Sequence, residues 1–174
     1  MQIIYMILSV LGLVSFVFAS LVKGENVKTN LFFVFIGSIF VGASYLLSPS
    51  GINGAVSAFI GALQAIINYF FNAKNKAVPI WLTAIFAAVF LGMNIAVLDS
   101  WTGVIAILAT LCFVGGVSAK SGKGYRTWQM GNNLLWVCYD IFSRSYGPLL
   151  SHGVQLGFTA FGAWINDYRK KKVL

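Results

Sequence analysis

Long apolar runs alternate with short polar connections along the whole chain. A run of about 20 residues is the length at which a helix crosses roughly 30 Å of hydrocarbon. By this measure the pattern predicts seven membrane-spanning helices, at 2–22, 31–48, 52–72, 79–98, 102–119, 128–147 and 149–167. The three prolines, Pro49, Pro79 and Pro148, all fall at predicted helix ends, where a missing backbone N–H is tolerated. The predicted fold is therefore an all-α, polytopic membrane protein.

The predicted helices divide into two similar halves. Residues 14–23 align with 111–120, and Asn68 of the third helix aligns with Asn166 of the seventh. The fourth helix has no counterpart, which favours two parallel repeats on either side of a connecting helix. The sequence therefore predicts a single transmembrane domain over 1–174, made of a three-helix repeat at 1–76, a linker helix at 77–100 and a second repeat at 101–174.

Composition agrees with a chain that lies almost entirely in the membrane. Hydrophobic residues make up 59%, charged residues only 9%, and the mean hydropathy is +0.83. A soluble domain carries about a quarter charged residues, so no water-facing domain of ordinary kind is expected.

The basic residues fall on alternate connections and predict the orientation of the chain. One side of the membrane would hold Lys23, Lys28, Lys74, Lys76, Lys120, Lys123, Arg126 and the basic run at 169–172, and the other side would hold Arg144 alone. Because Lys and Arg concentrate on the cytoplasmic side, the N-terminus is predicted outside and the C-terminus inside. The net charge of +8 is therefore explained by the orientation of the chain in the membrane and by contact with anionic lipid headgroups. Nucleic acid is not an expected partner.

Polar side chains inside the predicted spans are the candidate binding residues. Hydrocarbon offers no hydrogen bonds, so such groups must face other protein or water. Helical spacing places them on stripes that would converge between the halves. The predicted solute-binding residues are Asn132, Asn133, Trp136, Tyr139, Asp140, Gln155, Gln64, Tyr45 and Asn94. The alternative for the amides is interhelical hydrogen bonding, and for the aromatic rings ordinary packing.

Asp140 is interpreted as the only acid inside a span. A charged carboxylate there costs about 3 kcal/mol, so it needs a partner or water. Arg144 follows at i+4 and His152 lies in the next helix, so the three residues are predicted to form an ionic cluster that gates the outer mouth. The alternative is a structural salt bridge. Cys112 and Cys138 each lie in an apolar run and are expected to be small packing residues.

Motifs of catalysis and metal binding are absent from the sequence. It contains no HExxH, GxSxG or GxxxxGK[ST] pattern, and only one histidine and four acids. We therefore expect no enzyme activity, no cofactor and no metal.

One spaced pattern indicates a family. The run Trp136-x3-Asp140-x4-Ser145-x-Gly147-x5-Gly153, among seven short spans, resembles the YgjV family of bacterial inner-membrane proteins. That family looks related to the group of SWEET sugar carriers, PnuC vitamin-precursor carriers and PQ-loop transporters. The resemblance implies a multi-pass protein of the bacterial inner membrane, with a 3+1+3 helix arrangement around a central site. The chain departs from that group in having no Pro-Gln dipeptide and no proline in its first or fifth span.

The expected function is transport of a small polar metabolite, such as a sugar, nucleoside or vitamin precursor. It would proceed by alternating access between the two halves, facilitated or coupled to protons through Asp140. The expected partners are the solute and the lipid bilayer, with a homo-oligomer left open. The alternative is a non-transporting receptor or an accessory or regulatory subunit with the same fold. A polar cavity beside Trp136 would favour transport, and internally paired stripes with no cavity would favour the alternative.

Overall fold

The computed structural model describes residues 2–23, 27–47, 52–96, 101–142 and 146–169. They form seven helices: α1 (Gln2–Leu21), α2 (Val27–Leu46), α3 (Ile52–Ala73), α4 (Ile80–Ala96), α5 (Thr102–Val117), α6 (Gly122–Phe142) and α7 (Tyr146–Ala163). A π-helical turn, Trp164–Tyr168, continues α7. No strand occurs in these described ranges. The prediction of an all-α chain with seven helices is confirmed.

The sixth helix begins earlier than the hydropathy pattern predicts. It starts at Gly122 rather than at 128, because Ser121 caps it: the Ser121 Oγ accepts a hydrogen bond of 3.1 Å from the Gly124 backbone N–H. The polar stretch before Trp128 was interpreted as a connection because hydropathy does not detect a polar helical turn. Arg126 therefore lies inside α6 and not in a loop.

The third helix ends in a motif that fixes the chain after it. Asn75 has a positive φ of 54°, in the left-handed region that asparagine tolerates better than most residues. Its N–H donates to the Asn72 carbonyl at 3.0 Å, and the Lys76 N–H donates to the Phe71 carbonyl at 2.9 Å. These are the two bonds of a Schellman motif, and they set the position of Lys76.

Most helices that follow one another in the chain pack together, and α3 and α4 are the exception. α2 packs against both α1 and α3, α6 packs against both α5 and α7, α4 packs on α5, and α1 meets α7. α1 and α2 approach each other closely where Gly12 and Gly37 meet. A Cβ added at Gly37 would lie 3.2 Å from the Gly12 carbonyl oxygen. The relation of the two halves as parallel repeats and the orientation in the membrane stay predictions.

The outer surface is apolar. Ile3–Leu21, Val27–Leu46 and Ala55–Ala73 are long and apolar enough to cross a membrane, and Ile80–Ala96 and Thr102–Val117 are shorter apolar helices. Large apolar side chains point outward, among them Ile3 and Ile80 at 74% and 87% exposure, as expected where lipid takes the place of water. We call the end where α1, α3, α5 and α7 finish the basic end, because most of the lysines follow or precede helices there, and the other end the opposite end.

Candidate functional site

A buried ion pair ties three helices together at the basic end. The Arg126 guanidinium of α6 is fully buried and binds both carboxylate oxygens of Asp167, with Nε 2.9 Å from Oδ2. Its Nη1 also donates to the Val22 carbonyl, just after α1, at 2.8 Å. The fork of the guanidinium matches a carboxylate in two parallel bonds, so the contact has a fixed geometry. Asp167 lies in the turn that continues α7 and its side chain is 5% exposed, so Asp140 is one of two acids with buried side chains among the described residues.

The contact between α1 and α7 lies next to this tie. The hydroxyls of Ser20 and Thr159 share a buried hydrogen bond of 2.9 Å, and Asn166 donates to the Leu21 carbonyl at 3.3 Å. A Cβ added at Gly162 would come within 2.2 Å of the Ser20 carbonyl oxygen. The backbones therefore touch at this point, and only glycine leaves room for it.

Polar side chains of three helices meet at Ser118, the residue that ends α5. Its Oγ accepts hydrogen bonds from Gln64 and Asn68 of α3, each 3.4 Å long, and from the Thr83 hydroxyl of α4 at 3.2 Å. Asn68 also donates to the Val117 carbonyl at 2.8 Å. The Gln64 Oε1 and Asn68 Oδ1 atoms are buried without a partner, as are both side-chain polar atoms of Asn30. Unpaired buried polar atoms are costly, so this region is a place where water or a ligand would be stabilised.

A cleft opens beside Ser118 at the basic end. It has a volume of about 330 Å³ and lies between the start of α2, the end of α3 with the connection that follows, and the end of α5. We call it the basic-end cleft; the residues lining it include Lys28, Asn72, Asn75, Lys76, Ser118 and Lys120. A second, open groove of about 420 Å³ runs along α1, and its lining is apolar. Neither includes Trp136, so the polar cavity expected beside Trp136 is not among these two.

At the opposite end, α6 and α7 share a titratable cluster. The His152 Nδ1 lies 2.7 Å from the Asp140 Oδ2, and the His152 ring stacks on Trp136 with centroids 5.5 Å apart. Tyr139 packs edge-on against Trp136 at 5.4 Å. Tyr45 of α2 lies within electrostatic range of Asp140. The predicted Asp140–His152 contact is therefore present; Arg144, the third member of the predicted gate, lies outside the described residues.

The other predicted binding residues do not join this cluster. Asn132 is buried and donates to the Ala109 carbonyl of α5 at 2.7 Å, and Asn133 is buried beside it in sequence. Gln64 lies near the basic end, at Ser118. Gln155 donates to Ser151 of its own helix at 3.4 Å, and Asn94 donates to the Phe90 carbonyl one turn back at 2.8 Å. The nine residues predicted to hold one solute are thus distributed over both ends of the bundle and over α4.

Sequence reasoning missed Arg126, Asp167, Ser118 and Thr83. Arg126 was counted only as a topology signal, and Asp167 falls beside the C-terminal basic run, where an acid looks solvated. One feature of the sequence could have indicated that Asp167 is buried. Asn166 and Asp167 continue the seventh apolar run and are followed by Tyr168, so the acid belongs to the same predicted helix. The described residues contain no cluster of three or more His, Cys, Asp or Glu side chains that could hold a metal ion.

Comparison with known proteins identifies the family. The sequence profile of Imp-YgjV, a family described as bacterial inner membrane protein, matches residues 2–170. No curated protein and no solved structure matches the chain. The match covers nearly the whole sequence and agrees with several apolar helices in the described ranges. The chain therefore belongs to the YgjV family and is a multi-pass protein of the bacterial inner membrane.

Proposed function

We propose that this protein carries a small polar solute across the bacterial inner membrane by alternating access between its two three-helix halves. The observation that carries the proposal is the basic-end cleft, which opens between α2 and α3 of the first half and α5 of the second. Its volume of about 330 Å³ is within the range of small-molecule pockets. A cleft between two halves is where a carrier of this kind would admit its solute.

The interior next to the cleft supports the same proposal. Gln64 and Asn68 lie behind Ser118, and each retains a buried oxygen without a partner. If Gln64 and Asn68 served only to join helices, both the oxygen and the nitrogen of each side-chain amide would be hydrogen-bonded, because an unpaired buried polar atom costs free energy. Both side chains are thus suited to a solute hydroxyl or amine that moves inward from the cleft.

The opposite end supplies the second gate in this proposal. Asp140 and His152 join α6 to α7 there, and Tyr45 of α2 lies within electrostatic range of Asp140. In the conformation described above, the solute would enter from the basic end, and the Asp140–His152 cluster would keep the opposite end closed. Trp136 stacks on His152, so its face becomes available to a sugar or heterocyclic ring only when the cluster rearranges. Transport would be facilitated, or coupled to protons through Asp140.

Uptake into proteoliposomes tests the function. A panel of radiolabelled sugars, nucleosides and vitamin precursors is offered to wild type, to Ser118→Leu and to Gly92→Leu. Ser118→Leu fills the cleft and removes the hydroxyl that Gln64, Asn68 and Thr83 contact. Gly92→Leu is the matched control, since nothing lies within 4 Å of a Cβ added there. We expect one solute class to enter with wild type and the control but not with Ser118→Leu; no uptake of any solute would contradict transport.

A second candidate is a non-transporting accessory or receptor subunit. It is favoured by the outward face of α7, where Gly153 and Gly157 are exposed and a Cβ added at either meets nothing within 4 Å. A small-residue face of this spacing accepts a second transmembrane helix. Under this candidate, Gly153→Leu with Gly157→Leu would release a membrane partner from the purified protein, and Ser118→Leu would have no effect on the complex.

A further inference from the structure

Three lysines from different parts of the chain meet at the basic-end cleft. Lys28 lies in the first turn of α2, Lys76 follows α3 and Lys120 follows α5. No acidic side chain is among the described residues that line the cleft. Because lysine is protonated at pH 7, the lining carries about three positive charges. An anion is the ligand that this lining favours.

Ser118 adds a directed hydrogen-bond donor to the same cleft. Its oxygen already accepts from Gln64, Asn68 and Thr83, at 3.2 to 3.4 Å. A hydroxyl has two acceptor lone pairs and one proton, so the three donors compete for its acceptor side at these long distances, and its one proton is the group that it can donate. Ser118 lines the cleft, and its hydroxyl therefore offers a donor to an oxyanion bound there.

The helices around the cleft fix the backbone positions of Lys28 and Lys76. The Schellman motif at Asn75 sets the chain direction at Lys76, and α2 begins at Val27 on the rim of the cleft. The N-terminus of α2 adds positive potential. The C-termini of α3 and α5 end at the same cleft and add negative potential, so the ammonium groups and the Ser118 hydroxyl, rather than helix dipoles, must hold the anion.

We propose that the basic-end cleft binds a phosphate group, held by Lys28, Lys76 and Lys120 and by the Ser118 hydroxyl. Phosphate suits this lining better than a carboxylate because it carries more charge and more acceptor oxygens, and lysine binds it as a point charge. The group could belong to a soluble phosphate ester or to the headgroup of an anionic lipid, since basic pockets between transmembrane helices recognise headgroups. The proposal that the cleft binds phosphate does not depend on the transport function proposed above. The further statement that a phosphate-bearing solute is carried rests on that function.

Calorimetric titration with inorganic phosphate tests the site directly. The full-length protein is placed in nanodiscs of neutral phosphatidylcholine at low salt. The test variant replaces Lys28, Lys76 and Lys120 with glutamine, and the control variant replaces Lys23, Lys74 and Lys123, which are exposed at the same end outside the cleft lining. Both variants lose three charges, so a general effect of charge would weaken both equally. We expect saturable binding to wild type and control, and at least tenfold weaker binding to the test variant.

An equal loss in both variants would overturn the proposal, and so would the absence of saturable phosphate binding together with the absence of a retained anionic lipid in the experiment below. Should the test variant not yield folded protein, Ser118→Ala serves in its place, with an expected loss of about threefold, the size of one weak hydrogen bond; unchanged affinity in Ser118→Ala would equally overturn it. Phosphate binding without uptake of any solute would leave the site intact and contradict the carrier function instead.

Native mass spectrometry from discs that contain phosphatidylglycerol separates the two sources of phosphate. One lipid retained by wild type and control but not by the test variant assigns the group to a headgroup. Phosphate binding without a retained lipid assigns it to a soluble ester. The absence of both would contradict the proposal.

Discussion

The two ends of the bundle hold their acids in different ways. At the basic end, Asp167 receives two bonds from a fully buried arginine that also binds the Val22 carbonyl. At the opposite end, Asp140 meets His152, whose side chain is 24% exposed and whose charge depends on pH. Arginine stays protonated at any physiological pH, so the first contact is permanent. The α1–α7 contact at the basic end is therefore held by a pair whose charge is fixed, whereas the contact at the opposite end depends on a histidine.

Breaking the basic-end tie should give the largest effect. Asp167→Asn leaves the buried Arg126 charge without a counter-ion, and such a loss costs about 3 kcal/mol or more. We expect a strongly lowered unfolding temperature in detergent and a low yield of folded protein. Arg169→Gln is the control, since Arg169 is exposed and only lies over the Trp164 ring. Equal stability of the two variants would mean that the tie does not hold the helices together.

The close approach of α1 and α7 gives the next largest effect. Gly162→Ala places a Cβ against the Ser20 carbonyl, and overpacking of this kind costs about 1–3 kcal/mol. Gly157→Ala, five positions earlier on the same helix, meets nothing within 4 Å and should be neutral or slightly stabilising, because alanine favours a helix more than glycine does. Thermal unfolding of both variants measures the difference. Destabilisation of both to the same extent would contradict the contact.

The opposite-end cluster should matter more for pH response than for stability. Asp140→Asn keeps an oxygen that can accept from His152 and removes the negative charge, so we expect a loss of about 1 kcal/mol. If transport is proton-coupled, this variant loses the pH dependence of solute uptake in proteoliposomes. Unchanged pH dependence would remove Asp140 from coupling, and a stability loss as large as that of Asp167→Asn would erase the contrast between the two ends.

The smallest effect is expected at the end of α3. Asn75→Gly relieves the positive φ at no cost to the Schellman bonds, and should raise the free energy of unfolding by a few tenths of a kcal/mol. Asn75→Val, with a β-branched side chain in the left-handed region, should lower it by about 1 kcal/mol. Thermal unfolding of the pair measures the direction, and the reverse order would contradict the motif.

Much of the fold could be predicted from hydropathy, and little of the side-chain pairing could. All seven helices overlap the predicted runs, because the length of an apolar segment is set by the membrane. The start of α6 was missed because its first turns are polar, and with it the place of Arg126. Helical spacing gives the face on which a residue lies, and for that reason the Asp140–His152 contact could be predicted.

The cleft could not be predicted for a different reason. Ser118 becomes a meeting point only when α3, α4 and α5 are placed against one another, which no periodicity within one helix encodes. Lys28, Lys76 and Lys120 lie far apart in sequence, in three predicted connections, and the sequence analysis interprets each as a topology signal. The polar stripes were read as one central site, whereas Asn132 serves the α5–α6 contact and Gln64 belongs to the basic end.

The proposed carrier function requires that water and solute reach the interior from the basic end while the opposite end is closed. Ser118→Cys, in a chain with Cys112 and Cys138 replaced by alanine, is exposed in sealed vesicles to a membrane-impermeant maleimide added to one side at a time. Lys74→Cys, on the exposed surface of the same end, marks which side that is. We predict that the cysteine at position 118 reacts only from the side that labels the cysteine at 74. Failure to react from that side, or equal labelling from both sides, would contradict the account.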